Sequence, residues 1–309
     1  MKKIYNLIVA VAAMLFVGSC SDNYSFDPYE NQNSRPLYPN SISFSSLNKE
    51  GTRTDKNWSF KYNVDNKINS YDYIYKVKTK DGVEIQEEHN GKLLYYTDAV
   101  GNGGILNNLV VSNKVKDITS TQGYTDAITE DVKIVAGKIE TIKTIVQRTY
   151  MNGEDSTFST VRTFTYMDKY CVGSTVTASN ENITYTYNWN NARLNKVTVF
   201  TLGKNNDLKS EAYEYKYDDR ELATNYGFNT MAFIYGTMPE IYAAMNLFGE
   251  ASAYKLEGEY FSGYRTINNE RHDLSPISRE YAILETANSV TYTADSPSTN
   301  SYFYTFSNN

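Results

Sequence analysis

The feature that most constrains the fold of this chain is a two-residue rhythm of tyrosines. The stretch ITYTYNWNNARLNKVTVF, residues 183–200, places tyrosine at alternate positions, breaks into asparagines and then alternates again. Related runs are WSFKYNVDNKINSYDYIYK at 58–76 and EAYEYKYDDREL at 211–222. Because successive side chains of a strand point to opposite faces, this period predicts β-strands. Each run, its polar break and its return predict one antiparallel hairpin.

Turn-forming residues punctuate the alternating runs. The predicted breaks are Lys80-Asp81-Gly82, Asn90-Gly91, Asn152-Gly153, Gly203-Lys204-Asn205 and Asp218-Asp219. Asn-Gly and Asp-Gly pairs tolerate the positive φ angles of tight hairpins. The sequence therefore predicts an all-β fold, an antiparallel meander of hairpins that forms one large curved sheet or barrel. The 29 tyrosines outnumber the 13 phenylalanines, and because a tyrosine can pack its ring while its hydroxyl stays in water, we expect the tyrosine faces to be thinly covered or open on one side.

One segment departs from the two-residue period and predicts a short helix near 238–248. It reads TMPEIYAAMNLFGE, with a proline near the first turn and a glycine near the end. Its apolar side chains recur at helical spacing, at Ile241, Ala244, Met245 and Phe248. A single short helix in a β chain is expected to plug the end of a barrel or to cover a sheet.

The N-terminus has the pattern of a lipoprotein signal peptide. Two lysines precede an apolar run that is too short to span a bilayer, which needs about 20 apolar residues. The run ends in Val17-Gly18-Ser19-Cys20, which resembles the bacterial lipobox. That resemblance implies that Cys20 becomes the lipid-modified first residue of the mature chain and anchors it to a membrane. We expect a signal peptide at 1–19, a flexible tether rich in Pro and Asn at 20–40, and a single antiparallel β domain at 41–309.

Composition and motifs argue against several functions. The net charge is −6 with no basic block, which excludes the usual electrostatic basis of nucleic-acid binding. With 2 Cys and 2 His we expect no metal site, and with Cys20 lipidated Cys171 has no disulfide partner. Glu87-Glu88-His89 is interpreted as an exposed hairpin tip and 270–273 as a solvated loop. We therefore predict no catalytic residues, no cofactor and no enzymatic activity.

Aromatic residues of the repeats are the candidate binding residues. They are Trp58, Trp189, Tyr185, Tyr187, Tyr215 and Tyr217. An exposed aromatic at a strand end could stack on a sugar ring. The alternative is that the tryptophans belong to the core.

Two stretches resemble the YD-type repeat of wrapping β proteins. They run from Tyr185-Thr186-Tyr187-Asn188 to Leu194 and from Tyr215-Lys216-Tyr217-Asp218 to Leu222. Together with the lipobox, the tether and the turn Leu247-Phe248-Gly249, the chain resembles a Bacteroides lipoprotein family of unknown function with a porin-like β fold. The resemblance implies many antiparallel strands and no established activity.

These observations define the expected function. In AYEYKYDD neither face is apolar enough for a lipid-facing transmembrane strand, so we expect a soluble body behind the anchor. We expect an outer-membrane lipoprotein, on the cell surface or the periplasmic face, that binds a glycan, a lipid or a partner protein without catalysis. The alternatives are a polysaccharide-acting hydrolase, which needs two facing carboxylates, and a half-barrel lipid carrier.

Overall fold

The computed structural model describes most of the predicted β region. The described residues are 38–48, 50–63, 68–97, 106–117, 123–203, 207–222, 241–242, 247, 254–286, 289–294 and 299–307. The chain divides into Met1–Arg35 and Pro36–Asn309, and every described residue lies in the second unit. The predicted signal peptide, Cys20 and the tether as far as residue 37 lie outside the described residues.

The described residues form seventeen strands. They are β1 (Tyr38–Leu47), β2 (Arg53–Tyr62), β3 (Ile68–Lys78), β4 (Glu84–Thr97), β5 (Leu106–Asp117), β6 (Tyr124–Val135), β7 (Lys138–Tyr150), β8 (Asp155–Met167), β9 (Tyr170–Ala178), β10 (Glu181–Asn190), β11 (Arg193–Gly203), β12 (Leu208–Leu222), β13 (Tyr254–Ile267), β14 (Glu270–Glu280), β15 (Ala282–Thr286), β16 (Ser289–Ala294) and β17 (Thr299–Ser307).

All the strands belong to one antiparallel sheet. Each strand from β1 to β13 pairs with the next along the chain, so that the series ends at β14. β15 pairs with β16, β16 with β17, and β17 with β1. Only Tyr281 separates β14 from β15, and its N–H donates to the carbonyl oxygen of Glu257 at 2.7 Å. Followed from strand to strand, the pairings run from β15 through β16, β17 and β1 to β14, so both ends of the series lie within residues 270–286. The predicted all-β antiparallel meander is confirmed.

Several predicted hairpins are confirmed. In the stretch 183–200, β10 pairs with β11 across a two-residue turn in which Asn191 and Ala192 have φ of 47° and 59°. β2 pairs with β3 as the run 58–76 predicts. Gly82 and Gly153, each with φ of 84°, lie in the turns β3–β4 and β7–β8.

Two predicted turns are wrong. Asn90-Gly91 lies inside β4, where Gly91 is paired with Tyr71. A Cβ at Gly91 would lie 2.2 Å from the Cε1 and Cζ atoms of Tyr71, so this glycine accommodates an aromatic ring and does not make a turn. Asp218-Asp219 lies inside β12, so EAYEYKYDDREL does not form a hairpin. It is one strand whose register with β13 is irregular after Lys216 and again between Tyr217 and Leu222.

The two charged stretches interpreted from the sequence as a hairpin tip and a loop, 87–89 and 270–273, also lie in strands. Residues 87–89 lie in β4, where the His89 ring is half-buried and meets the Tyr73 ring edge-on at 4.8 Å. The interpretation of 87–89 as an exposed hairpin tip is therefore wrong. Residues 270–273 are solvent-exposed, as expected, but they form the start of β14 and not a loop.

The connections fall at two ends of the sheet because consecutive strands are antiparallel. One end, here called the plug end, is the end at which the long β12–β13 connection lies. It also carries the turns Ala136-Gly137, Asp168-Lys169 and Asn191-Ala192, and the opposite end is called the distal end. The distal end carries the turns Asp81-Gly82, Asn152-Gly153 and Asn268-Asn269.

Part of the predicted helix packs against the plug end. Ile241–Tyr242 is helical and buried, whereas Ala244, Met245 and Phe248 lie outside the described residues. The Ile139 N–H donates to the Leu247 carbonyl oxygen at 2.9 Å, and the Tyr242 hydroxyl donates to Glu130. Within the part of the chain that the structure describes, no helix is long and apolar enough to cross a membrane.

The core occupies one face of the sheet, here called the buried face, and is densest near the plug end. Its largest fully buried side chains are Ile42, Val132, Ile139, Tyr187, Leu194 and Tyr242. Burial decreases toward the distal end: on the same side of β8, Phe164 is 7% exposed and Phe158 is 44% exposed.

Candidate functional site

The buried face encloses the tyrosines that the sequence predicts to be open to water. Tyr187, Tyr213, Tyr215 and Tyr217 are all less than a tenth exposed. The sheet supplies internal partners for two of these hydroxyls: Tyr217 donates to the Leu194 carbonyl oxygen at 2.9 Å, and the Tyr187 hydroxyl accepts from Arg162 at 3.2 Å. The expectation of thinly covered tyrosine faces is therefore wrong for these rings. Burial also raises the pKa of the Tyr187 and Tyr215 hydroxyls, which stay neutral.

Arg162 organises the tyrosines of β10. Its Nη2 group donates to the Ser174 hydroxyl at 3.0 Å and to the Tyr187 hydroxyl at 3.2 Å. Its guanidinium carbon lies 4.4 Å from the ring centre of Tyr185, which is within cation–π range. Tyr185 is half-buried, so this ring and the arginine above it keep limited contact with solvent.

The two tryptophans occupy different parts of the buried face. Trp58 is 8% exposed, and its ring stacks on Tyr73 with centroids 4.1 Å apart. Its Nε1 group has no hydrogen-bond partner among the described residues. Trp189 is half-buried, donates to the Cys171 carbonyl oxygen at 2.8 Å, and packs 4.6 Å from Tyr170.

The structure thus brings together most of the predicted aromatic residues. Tyr185, Tyr187 and Trp189 lie on β10, and Tyr215 and Tyr217 lie on β12, with β11 between the two strands. Trp58 lies apart, on β2. Since the rings of Trp58, Tyr187, Tyr215 and Tyr217 are buried, the surface available for a sugar ring is reduced to Tyr185 and Trp189.

Two carboxylates on the buried face are held by arginines. Asp126 receives two hydrogen bonds from Arg148, from Nε and Nη2, each at 2.8 Å. The Arg148 guanidinium also lies 3.6 Å from the ring centre of Tyr124, whose hydroxyl donates to Glu87. Glu259 and Arg279 form a second, deeply buried pair.

A groove lies on the opposite, solvent-facing side of β1, β2 and β3. Its volume is about 480 Å³. Its lining residues are Ser43, Phe44, Ser45, Arg53, Asp55, Asn57, Ile74 and Lys76. The register explains why they meet: Ser43 is opposite Asn57, which is opposite Ile74, and Ser45 is opposite Asp55, which is opposite Lys76.

Asp55 is the centre of the groove's hydrogen-bond network. It accepts from the Ser45 hydroxyl at 2.7 Å and from Arg53 Nε at 2.8 and 3.0 Å. The hydrogen bond to Asp55 and its charge raise the pKa of Arg53, which stays protonated. Lys76 is half-buried on the same face.

Sequence reasoning missed this groove. Apart from Phe44 and Ile74, its residues are polar and occupy positions of alternating strands that normally face solvent. Only the register of three strands brings them together, and no local motif in the sequence encodes that register.

The described residues give no sign of a metal centre or a reactive thiol. Among them, no group of three or more His, Cys, Asp and Glu side chains is placed to hold a metal ion. Cys171 is fully buried, and burial raises the pKa of its thiol to about 12, so the nucleophilic thiolate is disfavoured.

Comparison with known proteins places the fold among porin-like β structures. No protein-family model and no curated protein matches the chain. The structure is similar to the crystal structure of a porin-like protein from Bacteroides vulgatus, with a TM-score of 0.54 and 12% identity over 88% of this chain and 99% of that chain. A porin-like protein from Bacteroides uniformis gives a TM-score of 0.48 and 12% identity, over 88% and 98% of the two chains. At this identity the first likeness shows the fold alone.

Proposed function

We propose that this protein is a lipid-anchored, outer-membrane-associated β protein that binds a glycan without catalysing a reaction. The lipobox ending at Cys20 supports the anchor. The likeness to a porin-like protein of Bacteroides supports the outer-membrane association. The lipobox and the YD-like stretches of the sequence support kinship with Bacteroides lipoproteins.

The groove across β1, β2 and β3 is the observation that carries the proposal. Its volume of about 480 Å³ is within the range of small-ligand sites, about 300–1,000 Å³. Ile74 supplies an apolar surface for the C–H face of a sugar ring. Ser43, Asn57 and Lys76 supply the hydroxyl, amide and ammonium groups that bind sugar hydroxyls.

The chemistry of the lining favours binding over hydrolysis. Glycoside hydrolysis uses two carboxyl groups that face each other across the sugar, with one of them acting as an acid. The groove lining contains a single carboxylate, Asp55, and that carboxylate is engaged by Arg53 and Ser45. On the buried face, Asp126 and Glu259 are likewise paired with arginines.

Tyr185 and Trp189 are proposed as a second, smaller contact surface at the half-buried part of β10. Trp58, Tyr187, Tyr215 and Tyr217 are proposed to shape that face from within the core, because each ring is less than a tenth exposed.

A glycan array tests the binding proposal. The full-length acylated protein in detergent is compared with the Asn57→Ala and Ile74→Asp variants and with Trp189→Ala. Thr163→Ala, on the exposed face of β8, is the matched control. We expect the groove variants to lose binding while Thr163→Ala keeps it. Binding to no glycan would contradict the function, and loss only in Trp189→Ala would move the site to β10.

The anchor is tested separately by metabolic labelling. Incorporation of a labelled fatty acid should require Cys20, so Cys20→Ala should abolish both labelling and fractionation with the outer membrane. Label retained in Cys20→Ala would contradict the anchoring proposal without affecting the groove.

A further inference from the structure

Two cationic side chains flank the groove on the same face of the sheet. Arg53 is paired with Lys78, and Asp55 with Lys76, so Arg53 and Lys76 are diagonal neighbours across β2 and β3. Diagonal neighbours of an antiparallel pair are about 7–8 Å apart at their Cα atoms, a spacing that one bound ligand group can bridge.

Asp55 fixes the orientation of the Arg53 guanidinium and leaves its two Nη groups available as donors. Its Nε group donates to both carboxylate oxygens of Asp55. Its side chain is 60% exposed. Neither Nη group makes a hydrogen bond to any residue that the structure describes, so the outer edge of the guanidinium can bind an oxyanion through two parallel bonds.

Lys76 is a second cation without a partner. It is half-buried beside Ile74 and has no ion pair or side-chain hydrogen bond within the described ranges. The carboxylate paired with it in register, Asp55, is already committed to Arg53 and Ser45. The lining therefore carries two cations and one anion, in a chain whose net charge is −6.

This charge distribution identifies the ligand class. We infer that the groove binds an acidic glycan, with the carboxylate of a uronate-type sugar held between Arg53 and Lys76. The sugar ring lies on Ile74, and its hydroxyls meet Ser43 and Asn57. This inference rests on the proposed function and names its ligand.

Isothermal titration of the full-length protein with matched oligosaccharides tests the inference. The probes are oligogalacturonate and the neutral galactose oligomer of equal length. The variants are Lys76→Met and Arg53→Gln, which remove the charge but keep an unbranched aliphatic stem, and the control is Lys143→Met on the exposed face of β7. We expect the uronate to bind at least about tenfold more tightly than the neutral oligomer, an advantage that decreases with added salt. Lys76→Met and Arg53→Gln should each remove that advantage, so that the uronate binds no more tightly than the neutral oligomer.

The outcomes separate the inference from the proposed function. Equal binding of both oligomers, unchanged in Lys76→Met, would overturn the acidic ligand but leave glycan binding standing. Binding of neither oligomer, together with a negative array, would overturn both. A sulfated oligomer or inorganic phosphate that competes as strongly as the uronate would overturn the carboxylate assignment. The unfolding midpoint of each variant, unchanged from wild type, excludes loss of fold as the cause.

Discussion

At the scale of single residues, the contact between Tyr71 and Gly91 shows that a buried aromatic ring can require glycine at the position opposite it. The pair lies directly opposite across β3 and β4, and Tyr71 is buried. Gly91 has no positive φ, so its need for glycine is steric. From the sequence alone, Asn90-Gly91 looks like an ordinary turn signal. Only the register of β3 and β4 shows that Tyr71 lies opposite Gly91.

Replacing Gly91 by alanine should therefore destabilise the protein. The new Cβ would lie 2.2 Å from two ring atoms of Tyr71, a distance that forces the ring or the strand to move. We expect a loss of about 2 kcal/mol or more in the free energy of unfolding, as for other overpacked sites. Urea unfolding followed by tyrosine fluorescence measures it.

Gly173→Ala is the matched control for that substitution. Its Cβ would meet nothing closer than the Tyr185 carbonyl oxygen at 3.4 Å, an ordinary contact. We expect a change within about 0.5 kcal/mol, or a small gain from the lower chain entropy of alanine. If Gly91→Ala is as stable as Gly173→Ala, the steric account of Gly91 is wrong.

Glu130 gives a pH dependence whose sign follows from its surroundings. Burial raises the pKa of its carboxyl, and hydrogen bonds from Tyr242 and Thr144 oppose that rise only in part. Because the folded-state pKa is above the ordinary value of 4.5, the folded protein holds the proton more tightly than the unfolded chain. Its contribution to stability is therefore full below pH 4.5 and is lost as pH rises through the folded-state pKa.

Glu130→Gln should remove this dependence, because glutamine does not titrate. We expect the difference in unfolding free energy, wild type minus variant, to be largest near pH 4.5 and to decrease toward pH 8. Comparing the two proteins at each pH cancels the titration of the other carboxylates. A difference that grows with pH would mean that the hydrogen bonds outweigh burial.

At the scale of elements, the sequence predicts strands well and their ends less well. The alternation at 183–200 and 58–76 indicates paired strands, and both pairs form. At 211–222 the chain runs through Asp218-Asp219 without a turn and stays in β12 as far as Leu222, although its pairing with β13 is interrupted between Tyr217 and Leu222. Side-chain period reports which face a residue occupies, whereas the position of a turn depends on where the neighbouring strand ends.

The β10–β11 turn offers a test of its backbone strain. Ala192 has φ of 59°, a left-handed conformation that costs a residue with a Cβ about 1–2 kcal/mol. We expect Ala192→Gly to raise the free energy of unfolding by about 0.5 kcal/mol, since the relief exceeds the added entropy of the unfolded chain. Thermal and urea unfolding measure the change.

Ala212→Gly, in the extended interior of β12, is the control for Ala192→Gly. There glycine relieves nothing, and we expect a loss of about 0.5–1 kcal/mol. Equal losses at both positions would show that the turn is not strained.

At the scale of the whole molecule, burial is graded between the two ends of the sheet. Ile139 at the plug end of β7 is fully buried, whereas Phe158 near the distal end of β8 is 44% exposed. Sequence alone could not predict this gradient, because both ends of each strand carry the same alternating pattern. The described residues of the β12–β13 connection, Ile241, Tyr242 and Leu247, add to burial at the plug end: Tyr242 donates to Glu130, and Leu247 accepts from the Ile139 N–H.

Hydrogen exchange should report the gradient. Backbone amides open by local unfolding, which is less frequent where more apolar surface is buried. We expect amides at 139–144 to exchange more slowly than amides at 147–150 of the same strand. Mass spectrometry of peptides from the intact protein measures this, and equal rates along β7 would contradict it.

The double pairing of β1 has a mechanical consequence. Because β1 is bonded to β2 on one side and to β17 on the other, the first strand of the described chain is not an edge. A force applied to the chain before Tyr38, along the direction of β1, would act on the backbone hydrogen bonds to β2 and to β17 at the same time. Because these bonds would be loaded in shear, they would have to break together and not one after another. A body joined to a surface through its front end would thus resist being torn loose by flow.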